Sequence, residues 1–360
     1  MGRTAVAPKL QPVTDVSTPA LVVDLDVFEA NVAAMAALVH GTGKTIRPHV
    51  KTHRTPELAR RQLGSLAVGV TCATVGEAEA MVDAGIDDVL IANEVVDPRK
   101  IARLVALGDR ARIGVAVDDP GPVVSLALEA ARVGATIDVL IDVDILLHRC
   151  GVESAADAVA LAQAIDRSPS LRLRGIMGYE GRRRRAEPDR AERVVEAYAI
   201  LAGARAALQD AGFPVEVVSA AGTSTLSEAL ADPTITEIQA GVYALMEPEL
   251  LDPDVPFRCA TAIRGTVISR HSGRVVVDVG RRSVGVEYGP PVPMGFVAKD
   301  LWISDEHVTI EMDDPLPDLG SQLDFAPGQI RTTFNLHDRV WVSRAGRIVD
   351  RWPIARGSSQ

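Results

Sequence analysis

Short apolar runs and longer amphipathic segments alternate along the first two thirds of the chain. In segments such as VGEAEAMVDAG (75–85) and DAVALAQAIDR (157–167), apolar residues recur every three or four positions, which predicts helices. The runs between such segments are rich in Val, Ile and Leu and predict strands. These runs are residues 19–25, 45–51, 66–73, 88–94, 112–118, 136–144, 171–180, 215–222 and 237–245. Repeated βα units in this number and spacing predict a parallel (β/α)8 barrel rather than an open sheet.

The pattern changes after residues 248–257, PELLDPDVPF, a segment rich in proline and acid that indicates a linker. Beyond it the pattern of apolar residues predicts further strands and no strong helices. The segment RGTVISRHSGRVVVDVG predicts a β-hairpin with His-Ser-Gly at its turn. We therefore predict a barrel domain over residues 18–250. A β-rich domain should combine residues 1–17 with residues 257–356.

The composition is typical of a globular protein, with 360 residues, 47% of them hydrophobic and 24% charged. No apolar run reaches the roughly 18 residues of a transmembrane helix and no signal peptide is recognisable, so we expect a soluble, cytoplasmic protein. A formal net charge of −10 argues against nucleic-acid and anionic-membrane partners. The three cysteines are too scattered for a disulfide framework or a thiolate metal site. The basic run Arg182–Arg185 fits either a solvated loop or an attractor for an anionic substrate.

Lysine is scarce in this arginine-rich chain, and one lysine has an unusual setting. Lys51 ends a predicted strand in RPHVKTH, Arg149 follows another, and Tyr179 ends a third. Because the loops after barrel strands converge at one rim, we expect the three side chains to lie together. Lysine, unlike arginine, can lose its proton and act as a nucleophile, so Lys51 is a candidate for covalent chemistry.

A candidate phosphate site follows the strand at 215–222. SAAGTST leads through Gly222 into a helix that Thr225 would open, with Glu228 three residues later completing a capping box. Backbone N–H groups at such a turn suit a phosphate, although an ordinary capped turn has the same pattern. Gly241, at the end of the last predicted strand, would lie beside it. A phosphate site facing a lysine on one rim indicates pyridoxal 5'-phosphate, whose aldehyde forms a Schiff base with a lysine amine.

Segments spread over nearly the whole chain, from residue 18 to about 356, resemble one family. They are TPALVVDLDVFEANV, RPHVKTH, ATVGEAEAMVDAGIDDVLIANEVV, RCGV, GYEG, AGTST and QAGVYALME. In this order they are similar to the D-threonine aldolase and D-serine dehydratase group, fold-type III pyridoxal phosphate enzymes with an alanine racemase-like barrel and a C-terminal β domain. The resemblance implies that fold, that cofactor, a small amino-acid substrate and a homodimer.

The resemblance also implies roles for matching positions. Lys51 corresponds to the Schiff-base lysine, Arg149 to an arginine near the phenolic oxygen of the cofactor, and Tyr179 to a tyrosine near its pyridine nitrogen. A phenol would not hold that nitrogen fully protonated, so the cofactor ring would withdraw electrons from the substrate less strongly. The implied phosphate cradle consists of Gly222, Thr223, Gly241, Val242 and Tyr243.

The chain departs from the family near its C-terminus. Metal-dependent members carry proline, any residue, histidine, any residue, and cysteine or aspartate before a segment like TFNLHD. Here PGQIRTTFNLHD puts Gln329 at the histidine position and Arg331 at the cysteine or aspartate position. Glutamine is a poor ligand for zinc or manganese, and arginine stays cationic, so we expect no metal there. We predict that Gln329, Arg331 and the family-like His307 contact substrate, with Arg331 binding a carboxylate or polarising a β-oxygen.

Several activities stay open at this point. The first is an aldolase-type lyase for a β-hydroxy-D-amino acid, with His53, His49 or a histidine of the other domain as the base for the β-hydroxyl. His49 and His53 would otherwise only pack or hydrogen-bond around the lysine. Loss of the metal ligands counts against a dehydratase. A racemase or epimerase would use Lys51 on one face and an acid such as Tyr243, Tyr288 or a residue across a dimer interface on the other. A non-catalytic cofactor carrier is disfavoured by the β domain.

Overall fold

The computed structural model describes residues 11–64, 66–183, 187–251 and 255–357. They fall into two compact units. The first, the barrel unit, comprises Ala36–Lys51, Leu58–Gly241 and Arg356–Gln360. The second, the β unit, comprises Met1–Met35, Thr52–Glu57 and Val242–Ala355.

The described residues of the barrel unit form a sheet of eight parallel strands. Along the sheet these strands follow one another as Thr45–Ile46, Glu237–Ile238, Val217–Ala220, Leu171–Met177, Ile137–Asp142, Arg112–Val117, Asp88–Glu94 and Val70–Cys72. Two isolated parallel bridges, Ile46 with Ala67 and His49 with Thr71, link the two ends of this order. The predicted (β/α)8 barrel is therefore confirmed.

Most apolar side chains of the barrel strands are buried, on both faces of the sheet. All six residues of Ile137–Asp142 are buried, for example. Leu90, Ala116, Leu140 and Met177, one from each of four neighbouring strands, pack into one buried cluster. This packing explains why the strands read as continuous hydrophobic runs rather than as alternating ones.

The helices begin where the sequence offers capping side chains. Ser154 Oγ accepts a hydrogen bond from the N–H of Asp157 at 3.1 Å, for example, and opens one of the two predicted helices. Both predictions are confirmed, and the described helices are Leu25–Val39, Pro56–Gln62, Val75–Asp83, Pro98–Ala106, Pro120–Val133, Ala155–Asp166, Arg190–Asp210, Leu226–Ala231 and Ile330–Leu336. None of the helices in the described ranges is long and apolar enough to cross a membrane.

One predicted strand ends well before its apolar run does. The run at 45–51 is a strand only at Thr45–Ile46. Pro48 has no N–H with which to continue a hydrogen-bond ladder. Lys51 consequently lies in a 3-10 turn, Val50–Thr52, rather than at a strand end.

Two other predicted strands need correction. The run at 237–245 is a strand only at Glu237–Ile238 and goes on to a 3-10 turn at Val242–Ala244. The run at 19–25 does form a strand, Ala20–Asp24, but that strand pairs in the sheet of the β unit rather than in the barrel. An apolar run predicts extended backbone without specifying which sheet it joins.

The β unit is built on a sheet of ten described strands. Eight follow one another as Gln11–Pro12, Arg347–Pro353, Arg339–Arg344, Ala20–Asp24, Thr261–His271, Arg274–Val277, Val308–Glu311 and Asp300–Ile303. The other two are Gln322–Ala326, which pairs with Thr261–His271, and Val292–Met294, which pairs with Gln322–Ala326. The predicted hairpin is confirmed, since Thr261–His271 and Arg274–Val277 pair antiparallel.

The β unit also contains a helix in a region for which the sequence predicts no strong helix. Ile330–Leu336 begins at Gln329, whose side-chain Oε1 accepts a hydrogen bond from the N–H of Thr332 at 2.6 Å. Ile330 and Phe334 lie on its buried face. The cap and the two buried side chains stabilise a helix whose β-branched threonines disfavour it.

A network of ion pairs lies toward the N-terminal ends of the barrel strands. The carboxylate of Asp138 accepts hydrogen bonds from the guanidinium groups of Arg112, Arg172 and Arg174, at 2.7 to 2.9 Å. We assign this network to stability, because the chemistry of such barrels takes place at the opposite end.

Candidate active site

Three of the predicted site residues converge in the barrel unit. The amine nitrogen of Lys51 lies 5.6 Å from the centroid of the Tyr179 ring. The guanidinium carbon of Arg149 lies 5.9 Å from the same centroid. Tyr179 follows the strand Leu171–Met177 by two residues, so the group lies at the C-terminal rim of the barrel, where the loops that bear chemistry converge.

The loop that presents Arg149 is held by contacts that permit little movement. Gly151 has φ +105°, and a Cβ there would lie 2.4 Å from the backbone nitrogen of Asp144, so only glycine fits. Its N–H donates to Asp118 at 3.0 Å. The backbone N–H of His148 donates to Asp144 at 2.9 Å, although His148 itself has a positive φ of 54°. Strained backbone of this kind persists where the surrounding structure fixes it.

Acidic groups lie beside this loop. Burial, together with the neighbouring carboxylate of Glu94, raises the pKa of Asp142 to about 8, and Arg149 opposes the shift. Glu94, Asp118 and Cys150 each have a potential ligand atom within 4.8 Å of the others. Burial and Glu94 raise the pKa of the Cys150 thiol to about 11. Arg149 lies close enough to Asp142 and Cys150 to oppose the rise in the pKa of each.

The predicted phosphate cradle includes the turn after the strand Val217–Ala220. Ala221 has φ +72°, a left-handed conformation that glycine adopts at lower cost. A Cβ on Gly222 would lie 3.5 Å from Cε2 of Tyr179, so this glycine stands against the central ring. Thr223 belongs to the 3-10 turn Thr223–Thr225. The structure thus brings Gly222 and Tyr179 together.

The capping box predicted at this turn is wrong. The hydroxyl of Thr225 does not cap the helix Leu226–Ala231 but donates to the carboxyl of Glu180. Glu228 pairs with Arg190 instead of returning to the backbone. Side chains from other elements supply stronger partners than the local backbone, which a sequence motif cannot reveal.

Glu180 is a site residue that the hydrophobic pattern does not reveal. Its side chain is fully buried, and burial raises the pKa of its carboxyl. One carboxyl oxygen also accepts a long hydrogen bond, 3.4 Å, from the N–H of Gly222. The available signal is the position of an acidic residue directly after Tyr179 at the end of a buried run, because carboxylates are seldom fully buried.

The two predicted histidines have different surroundings. His49 belongs to the barrel unit, is 7% exposed, and forms a parallel bridge with Thr71. His53 belongs to the β unit, is completely buried, and accepts a hydrogen bond at Nδ1 from the N–H of Thr55 at 3.0 Å. Its ring also meets Phe334 edge-on, with 6.4 Å between centroids. The contacts of His53 resemble those of a packed histidine.

The predicted metal and substrate positions lie in the β unit. Gln329 uses its side-chain oxygen to cap a helix, as described above. The guanidinium of Arg331 lies 5.6 Å from the ring centroid of Tyr288 and donates to its hydroxyl at 3.4 Å. His307 is exposed in the turn between two strands. An engaged amide and a cation do not form a donor set for a divalent ion, so these residues do not fit the metal that the resemblance implies.

The remaining predicted residues belong to the end of the phosphate cradle and to the basic run. Gly241 ends a barrel-unit segment, and Val242 and Tyr243 open the next segment of the β unit, where Tyr243 is buried against Phe257. In the basic run, the backbone N–H of Arg183 donates to Ser224 Oγ at 3.3 Å. Positions 184 and 185 of the run lie outside the described residues.

Comparison with known proteins gives consistent matches. The family "alanine racemase, N-terminal domain" matches residues 23–247, and "putative serine dehydratase domain" matches residues 260–343. The chain is 38% identical to D-threonine aldolase from an Arthrobacter species, covering 97% of this chain and 95% of that protein. It is 32% identical to 3-hydroxy-D-aspartate aldolase from Paracoccus denitrificans, covering 96% and 93%.

Solved structures agree with these matches. The crystal structure of D-threonine aldolase from Filomicrobium marinum superposes with a TM-score of 0.90 at 38% identity, covering 97% of this chain and 98% of the other. D-threo-3-hydroxyaspartate dehydratase from Delftia sp. HT23 superposes with a TM-score of 0.85 at 25% identity, covering 96% and 100%.

Proposed function

The chain belongs to the alanine racemase N-terminal domain family and, over 97% of its length, to the group of D-threonine aldolase, and on this basis we propose that it is a pyridoxal 5'-phosphate-dependent lyase that cleaves β-hydroxy-D-amino acids. The predictions of the family and of a lyase-class enzyme are confirmed, while aldol cleavage as the reaction is the proposal. The observation that supports it best is the grouping of Lys51 and Arg149 around the ring of Tyr179.

The residues of the barrel unit fit the cofactor. The Gly222 turn lies beside the Tyr179 ring, where a Cβ on Gly222 would be 3.5 Å from Cε2 of that ring, so the turn and the ring border the same site. Lys51 would hold the cofactor through its amine, Arg149 would face its phenolic oxygen, and Tyr179 its pyridine nitrogen. When bound, pyridoxal phosphate supplies an electron sink for a bond broken at the substrate Cα.

Cleavage between Cα and Cβ requires a base that takes the proton of the β-hydroxyl, and we place that role on His49. A neutral imidazole that accepts a hydrogen bond at Nδ1, as His53 does, already has its proton on Nε2 and cannot take another there. His49 lies two residues from Lys51 in the same unit. His49→Gln should lower kcat by about 10²-fold or more, while His53→Gln should act mainly on stability.

The same proposal includes cleavage without a divalent ion at the family's metal position. Its support is the donor chemistry of Gln329 and Arg331. The fixed charge of Arg331 would interact with an anionic or oxygen-bearing substituent of the substrate. Elemental analysis of purified protein should find less than one divalent ion per chain, and chelators should leave activity unchanged. The double variant Gln329→His, Arg331→Cys should gain a bound ion, and a stoichiometric ion in the unaltered protein would contradict the proposal.

Product analysis tests the reaction itself. The yellow protein is incubated separately with D-threonine, D-serine and D-alanine. Glycine plus an aldehyde from D-threonine supports the aldolase. A keto acid plus ammonia would identify a dehydratase, which the similarity to the Delftia enzyme keeps as the second candidate. Loss of optical rotation alone would identify a racemase, and bound cofactor without turnover a carrier.

We also propose that the enzyme acts as a homodimer, as the family resemblance implies. Sedimentation of the cofactor-loaded protein at several concentrations tests this. A species of one chain's mass, 38.2 kDa, that turns over at the full rate would contradict it.

A further inference from the structure

We propose that Glu180 is a positioning residue whose proton must be in place for the Gly222–Thr225 turn to retain the cofactor phosphate, so that cofactor affinity falls as Glu180 ionises. This inference rests on the proposed function, because it requires a phosphate at that turn. It concerns the described residues of the barrel unit alone.

The geometry ties Glu180 directly to the turn. One carboxyl oxygen accepts hydrogen bonds from the Thr225 hydroxyl and, at 3.4 Å, from the Gly222 N–H. The Thr225 hydroxyl in turn accepts from the same Gly222 N–H at 3.1 Å. Glu180 therefore holds both ends of the turn. A change in its charge or position would shift the backbone that would face the phosphate.

The other carboxyl oxygen, Oε2, has a different environment. It is buried and has no hydrogen-bond partner among the residues that the structure describes. An ionised carboxylate would leave this charge-bearing oxygen without a donor, which is costly in a buried site. A protonated carboxyl satisfies the site at lower cost. In agreement with this, burial raises the pKa of Glu180, and the hydrogen bonds from the Thr225 hydroxyl and from nearby backbone N–H groups oppose the shift without cancelling it.

The ionisable groups that face Glu180 from the neighbouring helices are buried or have charged neighbours of their own. Tyr198 in the helix Arg190–Asp210 is buried, and burial, followed by Glu180, raises the pKa of its hydroxyl far above neutrality. Glu228 is paired with Arg190. Asp232 lies near Lys44, whose pKa is lowered by burial and raised by that carboxylate. Glu180 is the acidic group that hydrogen-bonds the turn directly.

The charges explain the expected coupling. A phosphate dianion at the turn and an ionised Glu180 one hydrogen bond away would repel each other across a buried medium. Phosphate binding therefore raises the pKa of Glu180 further, and by reciprocity protonation of Glu180 strengthens phosphate binding. Between the pKa without phosphate and the higher pKa with it, the affinity for phosphate falls by up to about tenfold per pH unit, the limit for one linked proton.

The experiment compares pyridoxal phosphate with pyridoxal, which lacks the phosphate. Apoprotein is titrated with each between about pH 7.5 and pH 9.5, where the phosphate stays a dianion, and binding is followed by visible absorbance. Condensation with Lys51 is common to both ligands, so the ratio of their dissociation constants isolates the phosphate. In the unaltered protein we expect the advantage of pyridoxal phosphate over pyridoxal to shrink as the pH rises, by up to about tenfold per pH unit, the limit for one linked proton.

Glu180→Gln supplies the matched control, because glutamine keeps the acceptor oxygen without a titratable proton. In this variant the ratio should not change with pH. The inference is overturned if the ratio depends on pH equally in both proteins, or if it does not depend on pH in the unaltered protein. If the variant does not fold, the pH dependence of the ratio in the unaltered protein decides the matter. If neither ligand binds at any pH, the proposed function fails rather than the role of Glu180.

Discussion

The amine nitrogen of Lys51 lies 5.6 Å from the centroid of the Tyr179 ring, on the same ring that Arg149 approaches at 5.9 Å. An aromatic ring attracts a cationic side chain through its quadrupole. Tyr179 therefore brings the Lys51 amine and the Arg149 guanidinium to one place at the rim. This grouping is the structural reason for proposing a cofactor there.

Lys51→Ala should abolish both the visible absorbance of bound cofactor and all turnover, because no other amine would replace the covalent anchor. Lys51→Arg should also lose both, since a guanidinium keeps the charge near Tyr179 but does not condense with an aldehyde. Absorbance spectra of the purified variants check this. Lys100→Ala, at an exposed position, is the control and should keep both properties. Persistent absorbance in Lys51→Ala would disprove the anchor.

Ala221→Gly should stabilise the protein. Ala221 has φ +72°, which costs an L-residue with a Cβ about 1 to 2 kcal/mol. Glycine relieves that cost but adds about 0.5 to 1 kcal/mol of unfolded-chain entropy, so we expect a net gain of about 0.5 to 1 kcal/mol in the free energy of unfolding. Urea denaturation measures it. Ala220→Gly, in the adjoining strand, should instead lose about 1 kcal/mol, and equal losses at both positions would refute the argument.

Asp142→Asn should change the pH dependence of stability. Burial and Glu94 raise the pKa of Asp142 from 3.8 to about 8. Between these values the folded protein holds a proton that the unfolded chain releases, so this contribution to the free energy of unfolding is complete below pH 3.8 and is lost as pH rises through 8.

Asparagine has no such proton, so the stability of Asp142→Asn relative to the unaltered protein should rise between about pH 5 and pH 8, by a few kcal/mol at most. Urea unfolding at both ends of this interval checks the direction. Glu153→Gln, at an exposed site, is the control, and its free energy of unfolding should change with pH as that of the unaltered protein does. A constant difference for Asp142→Asn would show that the carboxyl is ionised throughout.

Asp138→Asn should destabilise the barrel by about 3 kcal/mol, because it leaves three arginines without the carboxylate that they share. Thermal unfolding measures the loss. Glu216→Gln removes the 54%-exposed partner of Arg174 and should cost less than about 1 kcal/mol. Similar losses in the two variants would mean that Asp138 contributes no more than a surface ion pair.

The sequence by itself determined the barrel helices and the alternation of strands and helices in the barrel. The helix Ala155–Asp166 follows from its apolar spacing and its Ser154 cap, both of which act within a few residues. The alternation of buried runs with such helices admits few arrangements other than a closed parallel sheet. The scarcity of lysine likewise identified Lys51 as a candidate for covalent chemistry.

Only the tertiary structure decided which distant groups became partners. A hydrophobic run reports that a strand is buried but not against what, so Ala20–Asp24 could not be assigned to the sheet of the β unit. The Thr225 hydroxyl met the buried carboxyl of Glu180 instead of capping its own helix, and Gln329 capped a helix that its neighbours disfavour. Such contacts depend on free energies of burial and hydrogen bonding between residues far apart in the chain, which local sequence patterns do not encode.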